Sequence, residues 1–85
     1  MIRDKSYKFA LRIVRLYKYL VDNREFVISK QILRSGTSVG ANVEEAIGGQ
    51  SDKDFVSKIS IAYKEARESR YWLNLLVDGE FIAIE

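Results

Sequence analysis

Histidine, cysteine and proline are all absent from this 85-residue chain, and each absence closes a class of possibilities. Without histidine the chain lacks the side chain most often used as a general base and as a metal ligand. Without cysteine it has no disulfide framework and no thiolate to act as nucleophile or ligand. The missing proline fits a chain built from long, uninterrupted helices. No apolar run approaches the roughly 18 residues needed to cross a bilayer. The start, Met1 to Lys5, leads into an amphipathic segment with embedded arginines rather than into a signal peptide. A cytoplasmic location and no membrane partner are the resulting expectations.

What is present describes an ordinary globular composition, 47% hydrophobic and 31% charged, which excludes general disorder. A single domain over residues 1–85 is expected. A chain of this size buries only about two-thirds of its unfolded surface, so association with further copies is in prospect. The net charge of +2 hides an asymmetry. Residues 1–34 carry nine Lys/Arg against Asp4, Asp22 and Glu25, whereas the remainder carries five basic and nine acidic residues. Such a division suits a polyanionic partner or the self-association of opposite faces.

Three helices are expected, at about 5–21, 26–47 and 52–77. In the first, Phe9, Ile13, Leu16, Tyr17 and Leu20 fall on one helical face, with Asp4 or Ser6 as N-cap. Asp22-Asn23-Arg24 reads as a turn. The second helix places Ile28, Ile32, Ser35 with Gly36, Val39, Val43, and Ala46 with Ile47 inward. The phase continues across Gly36-Thr37-Ser38 despite poor propensity there, and a break near residue 37 is the alternative. Small residues at 35, 36, 40 and 41 would let another backbone approach closely. Gly48-Gly49 ends the helix. Ser51-Asp52-Lys53-Asp54 reads as a capping box, followed by Phe55, Ile59, Ala62, Ala66, Ser69, Leu73 and Leu76 at alternating spacings of four and three. Asp78-Gly79 stops this third helix, and Phe81, Ile82 and Ile84 look like the first turn of a fourth element cut short. The fold class expected is all-α, an antiparallel up-down bundle of three long helices plus a truncated fourth element.

The run Gln31-Ile32-Leu33-Arg34-Ser35-Gly36-Thr37-Ser38-Val39-Gly40-Ala41-Asn42-Val43-Glu44-Glu45-Ala46 resembles a known family. So do Ser51 to Phe55, Ala62 to Ser69, and Tyr71-Trp72-Leu73. The family is the four-helix-bundle proteins encoded by intervening sequences of bacterial 23S ribosomal RNA genes. The resemblance covers nearly the whole chain and extends to the accessory bundle proteins of diversity-generating retroelements. It implies an antiparallel bundle, commonly a homopentamer, associated with RNA or with a nucleic-acid enzyme. The chain departs from the family pattern where a fourth helix should begin.

Two sets of polar residues are candidate sites. Arg34, Asn42 and Glu45 on the second helix could face Glu65, Glu68 and Trp72 on the third. A guanidinium forked onto carboxylates there would fix the register of two helices, so a structural polar network is the expectation. The resemblance marks these as signature positions. A metal site of Glu45, Glu65 and Glu68 is disfavoured because Arg34 and Lys64 compete for the same oxygens and no histidine is available. No metal, cofactor, small-molecule substrate or catalytic activity is expected.

The second set is Lys5, Lys8, Arg12 and Arg15, spaced 3-4-3 along one face of the first helix, with Tyr19 continuing the line. Cations at about 5–6 Å intervals can track a phosphate backbone. A plain solvated face is the competing reading. The remaining aromatics, Tyr7, Tyr17, Tyr63, Tyr71 and Trp72, mostly fall near apolar faces and are expected to pack in the core or at an interface. The leading reading is therefore a non-enzymatic homo-oligomeric scaffold that meets RNA or a nucleic-acid enzyme through its first helix. The alternative is a structural or protein-interaction module with no nucleic-acid binding, whose open seam receives a partner helix.

Overall fold

The computed structural model describes residues 1–49 and 51–82, and among them every regular element is helical. Helix α1 spans Ile2–Asp22, α2 Ile28–Ile47 and α3 Asp52–Asp78. The 27 residues of α3 account for the long dimension of the molecule, 43 Å, at about 1.5 Å of rise per residue.

Helix α1 begins earlier than the polar residues near its start suggest. Met1 is the N-cap, and its carbonyl accepts from the Lys5 N–H at 3.1 Å. Neither Asp4 nor Ser6 caps the helix. Ser6 is buried against α2 and its hydroxyl donates to the Arg3 carbonyl at 3.0 Å. A serine on the inner face must satisfy its hydroxyl locally, and the preceding turn supplies the acceptor. Asp4 stays in the first turn, where its charge complements the positive end of the helix dipole.

The link to α2 is built around Glu25. Arg24 takes a left-handed φ of 65°, which turns the chain back so that the Glu25 N–H donates to the Leu20 carbonyl at 2.8 Å. The Glu25 carboxylate then accepts from three successive backbone N–H groups: Val27 at 3.3 Å, Ile28 at 3.1 Å and Ser29 at 2.5 Å. It does the work of an N-cap from below the helix end, satisfying donors that have no partner within the helix. Regular helix therefore starts at Ile28 rather than at residue 26, with Phe26 and Val27 exposed.

Helix α2 is continuous through Gly36-Thr37-Ser38. The glycine that weakens the helix is there because α1 lies against it. A Cβ at position 36 would stand 2.7 Å from Ile13 Cγ1, and one at Gly40 3.3 Å from the Ser6 carbonyl oxygen. The α1 side chain Arg3 reaches Glu44, so the start of α1 lies beside the end of α2. On the other side of α2, Arg34 and Ser35 meet Glu65, Glu68 and Ser69, while Glu45 meets Lys58. The start of α3 thus lies beside the end of α2. Helix α3 starts as its sequence suggests, with the Ser51 hydroxyl accepting from the Asp54 N–H at 3.1 Å.

The cluster shared by all three helices is Ile13 and Leu20 from α1, Ile32 from α2 and Leu76 from α3, all fully or nearly buried, while Val43, Ala46 and Ala62 are buried toward the other end of α2. Phe9, Leu16, Leu73, Trp72 and Ile82 pack around the shared cluster. Along the rest of their length α1 and α3 stay apart. No Cα of α1 approaches within 8 Å of one in α3 among the described residues. The 4-3 seam of α3 is consequently only half covered. Ala62, Ser69 and Leu76 are buried against α2, while Ile59, Ala66 and Leu73 line an open groove and Phe55 is exposed. Of the expected fourth element, Phe81 is exposed and Ile82 folds back onto the core, both in a bend that follows the turn at Gly79-Glu80. Ile84 lies outside the described residues.

Candidate nucleic-acid interface

The helical spacing of Lys5, Lys8, Arg12 and Arg15 places all four on the surface of α1, and all four are exposed. Tyr19 follows one turn on from Arg15 and is 51% exposed. None of the four cations is held in an ion pair among the described residues. Arg3, which flanks them, is committed elsewhere. Its Nε and Nη2 donate to the two carboxylate oxygens of Glu44 at 2.7 and 2.8 Å. That bidentate contact raises the Arg3 pKa and lowers that of Glu44, in both cases chiefly through the hydrogen bonds. The stripe is therefore a row of uncommitted positive charge bounded by one satisfied pair.

The polar set between α2 and α3 divides into three. Arg34 Nη1 donates to Glu65 Oε2 at 3.0 Å, and Arg34 Nη2 pairs with Glu68. Trp72 Nε1 donates to the same Glu68 oxygen at 3.0 Å. These four residues form one connected network, half exposed at Arg34 and more buried at Glu65. Asn42 does not join it. Its side-chain amide donates to the Ser38 carbonyl one turn back on α2, at 2.9 Å. Glu45 is also separate, pairing with Lys58 at 3.3 Å near the far end of α3. Helix α2 is long enough that positions 34 and 45 lie three turns apart, so one network could not include both. No group of three metal-ligating side chains comes together among the described residues.

Of the remaining aromatics, Trp72 packs against the core within this chain. Tyr7, Tyr63 and Tyr71 are each more than half exposed, and only Tyr17 is half-buried. Tyr63 lies beneath the Arg67 guanidinium at 6.0 Å, and Tyr71 meets Trp72 edge to face at 5.1 Å. The apolar faces to which these tyrosines belong are faces that no helix covers.

The groove between α1 and α3, about 720 Å³ in volume, was foreseen only as an open seam. Its floor is Val39 and Val43 of α2. Its two charged lining residues are Lys5 on the α1 side and Arg70 on the α3 side. Lys5 thus belongs both to the stripe and to the groove. Arg70 went unnoticed in the sequence, although Tyr63, Ala66 and Arg70 repeat at helical spacing on the side of α3 away from Glu65 and Glu68.

The family model of the 23S rRNA-intervening sequence proteins matches residues 1–85. The chain belongs to this family. A similar solved structure is that of a protein of unknown function from the S23 ribosomal protein family of Bacteroides thetaiotaomicron. It is 58% identical, with a TM-score of 0.96 over 98% of this chain and 78% of that one. No curated protein matches. Family membership fixes the all-helical class but assigns no activity. No helix of the described residues is long and apolar enough to cross a membrane.

Proposed function

We propose that this member of the intervening-sequence family is a non-enzymatic, homo-oligomeric scaffold that associates with RNA, or with an enzyme acting on nucleic acid, through α1. In this reading the three helices form an antiparallel up-down bundle, and the protein works in the cytoplasm. The observation that carries the reading is the line of exposed, unpaired Lys5, Lys8, Arg12 and Arg15. Its positive charge faces water, and no ion pair among the described residues engages it. Phosphates at comparable spacing would release counterions on binding, giving an affinity that falls steeply with salt. Copies arranged in a ring, as in the pentamer that the resemblance implies, would present several weak stripes to one polyanion and multiply their effect.

The test is a shift assay with a generic single-stranded RNA at low and moderate salt, comparing the native chain with Lys8→Ala/Arg12→Ala/Arg15→Ala. Removing three phosphate contacts should flatten the slope of log affinity against log salt by about 2 to 3. Intact binding in the triple variant would show the stripe to be the wrong surface. Light scattering reports the number of copies, and a clean monomer would remove the ring from the argument.

A second reading, a protein-interaction module without nucleic-acid binding, is favoured by the open groove. It predicts no shift with RNA at any salt.

A further inference from the structure

A line of cations attracts paired and unpaired nucleic acid alike, and the side chains beside it decide between the two. Tyr7, Leu11, Arg15 and Tyr19 follow one another at intervals of four, so they form a single ridge along the outside of α1. Lys8 and Arg12 stand on the adjacent ridge, each one position on from Tyr7 and Leu11. All six are exposed, Tyr7 at 67% and Tyr19 at 51%. None of the six lines the groove between α1 and α3. From Tyr7 to Tyr19 the ridge measures about 18 Å.

We infer that α1 takes an unpaired RNA strand, its bases laid on the ridge of Tyr7, Leu11 and Tyr19 and its phosphates on the cations alongside. This rests on the RNA reading of the stripe and narrows it to one form of RNA. Every base has a π-face, so an exposed tyrosine ring stacks on any unpaired base. In a duplex the bases are already stacked on one another, and only the phosphates can reach the helix. The cations would then be used and the tyrosines wasted. Arg15 lies within the ridge, and its planar guanidinium suits either a base face or a phosphate. The two carboxylates of α1, Asp4 and Asp22, lie outside the span from Tyr7 to Tyr19, so no acidic side chain of α1 interrupts it.

The exposed tyrosines of α3 do not offer the same platform. Tyr63 has the Arg67 guanidinium over its ring at 6.0 Å, and Tyr71 meets Trp72 edge to face at 5.1 Å. Among the described residues Tyr7 and Tyr19 are in neither kind of contact, which leaves their ring faces open to a base.

The experiment compares the native chain with Tyr7→Ala and Tyr7→Phe, both at an exposed position. Its probes are a short unstructured RNA strand, that strand annealed to its complement, and inorganic polyphosphate, a polyanion without bases. Affinities are measured over a range of salt. The native chain should bind the strand more tightly than the duplex. Tyr7→Ala should weaken strand binding by about fivefold or more. Its salt slope and its affinity for polyphosphate should stay as in the native chain, because no phosphate contact is lost. Tyr7→Phe, which keeps the ring, should bind the strand as the native chain does.

Equal or tighter binding of the duplex overturns the inference, as does strand binding that survives Tyr7→Ala or a loss that Tyr7→Phe fails to restore. A loss that extends equally to polyphosphate also overturns it, since Tyr7 then acts on the fold rather than on bases. A change in copy number with Tyr7→Ala, read by light scattering, would make the ridge an interface between copies. Binding of neither strand nor duplex by the native chain at low salt would remove the RNA reading, and this inference with it. Strand binding that is lost in Lys8→Ala/Arg12→Ala/Arg15→Ala but kept in Tyr7→Ala would leave the stripe standing and remove the ridge alone.

Discussion

Helix α2 is flanked on two sides by the same kind of element, yet its two contacts are made differently. Toward α1 it presents glycine. Gly36 and Gly40 let the backbone of α1 come so near that a Cβ at position 36 would collide with Ile13. Toward α3 it presents hydrogen-bonding groups. Ser69 donates to Ser35 at 2.9 Å in the buried interface, and Arg34 bridges to Glu65 and Glu68 at its edge. Close approach is specified by shape and tolerates no added volume. A polar zipper is specified by partners and tolerates the loss of both better than the loss of one. The two contacts therefore fail under different substitutions, which makes the contrast testable.

The largest effect should come from a residue that serves both sides. Ile32 is fully buried in the cluster shared by all three helices. Ile32→Ala should lower stability by about 2–5 kcal/mol, read from chemical denaturation. If the loss is under about 1 kcal/mol, the two contacts do not share a core.

Next comes Gly36→Ala, which separates shape from propensity. Alanine gains about 1 kcal/mol of helix propensity. Overpacking against the buried Ile13 costs about 1–3 kcal/mol. A net loss of about 1 kcal/mol is expected, and stabilisation would mean that α1 can move away at no cost.

Serine substitutions probe the other side with a smaller expected effect. Ser69→Ala should cost about 1 kcal/mol because Ser35 loses its donor, and Ser35→Ala/Ser69→Ala should cost less than the sum of the two singles. Ser29 supplies an internal control. Its hydroxyl is buried without a hydrogen-bond partner among the described residues, so Ser29→Ala should be neutral or stabilising. A loss at Ser29 as large as at Ser69 would remove the distinction.

The smallest effect concerns the exposed Arg3–Glu44 pair at the end of the α1–α2 contact. The folded-state pKa of Glu44 is lowered by the Arg3 hydrogen bonds. Its contribution is therefore present above the unfolded carboxylate pKa and is lost as pH falls through the folded value. Glu44→Gln should slightly flatten the acid limb of the stability–pH curve and leave neutral stability nearly unchanged. The pair is solvent-exposed, so added salt should shrink even that difference.

Much of this arrangement was legible in the sequence, for identifiable reasons. Period-3.6 patterning marked all three helices, and Ser51 announced the start of α3, because both signals act within one turn of chain. Of the four small residues of α2, Gly36 and Gly40 lie against α1, whereas Ser35 bonds to Ser69 of α3 and Ala41 is exposed. What was missed depended on distant partners or on empty space. The cap made by Glu25 requires Arg24 to adopt a left-handed conformation, and no propensity scale registers that. Asn42 bonds within its own helix because Ser38 lies one turn away. The tyrosines stay in water because the faces they share have no covering helix. The basic stripe was legible as a pattern, and its freedom from ion pairing became visible only once Arg3 was seen to take Glu44.

One consequence follows from the position of α2. Because α1 and α3 each pack along α2 and meet one another only through side chains at the Leu20–Leu76 end, the molecule amounts to two helical hairpins sharing a strut. Folding can nucleate from either hairpin, since both need only short loops and contacts local in sequence. Opening can also proceed from either flank. Under native conditions, amide hydrogens of α2 should exchange most slowly, and those at the α1 N-terminus and the α3 N-terminus should exchange first. A ligand that bridged the outer helices would convert the two independent openings into one cooperative event.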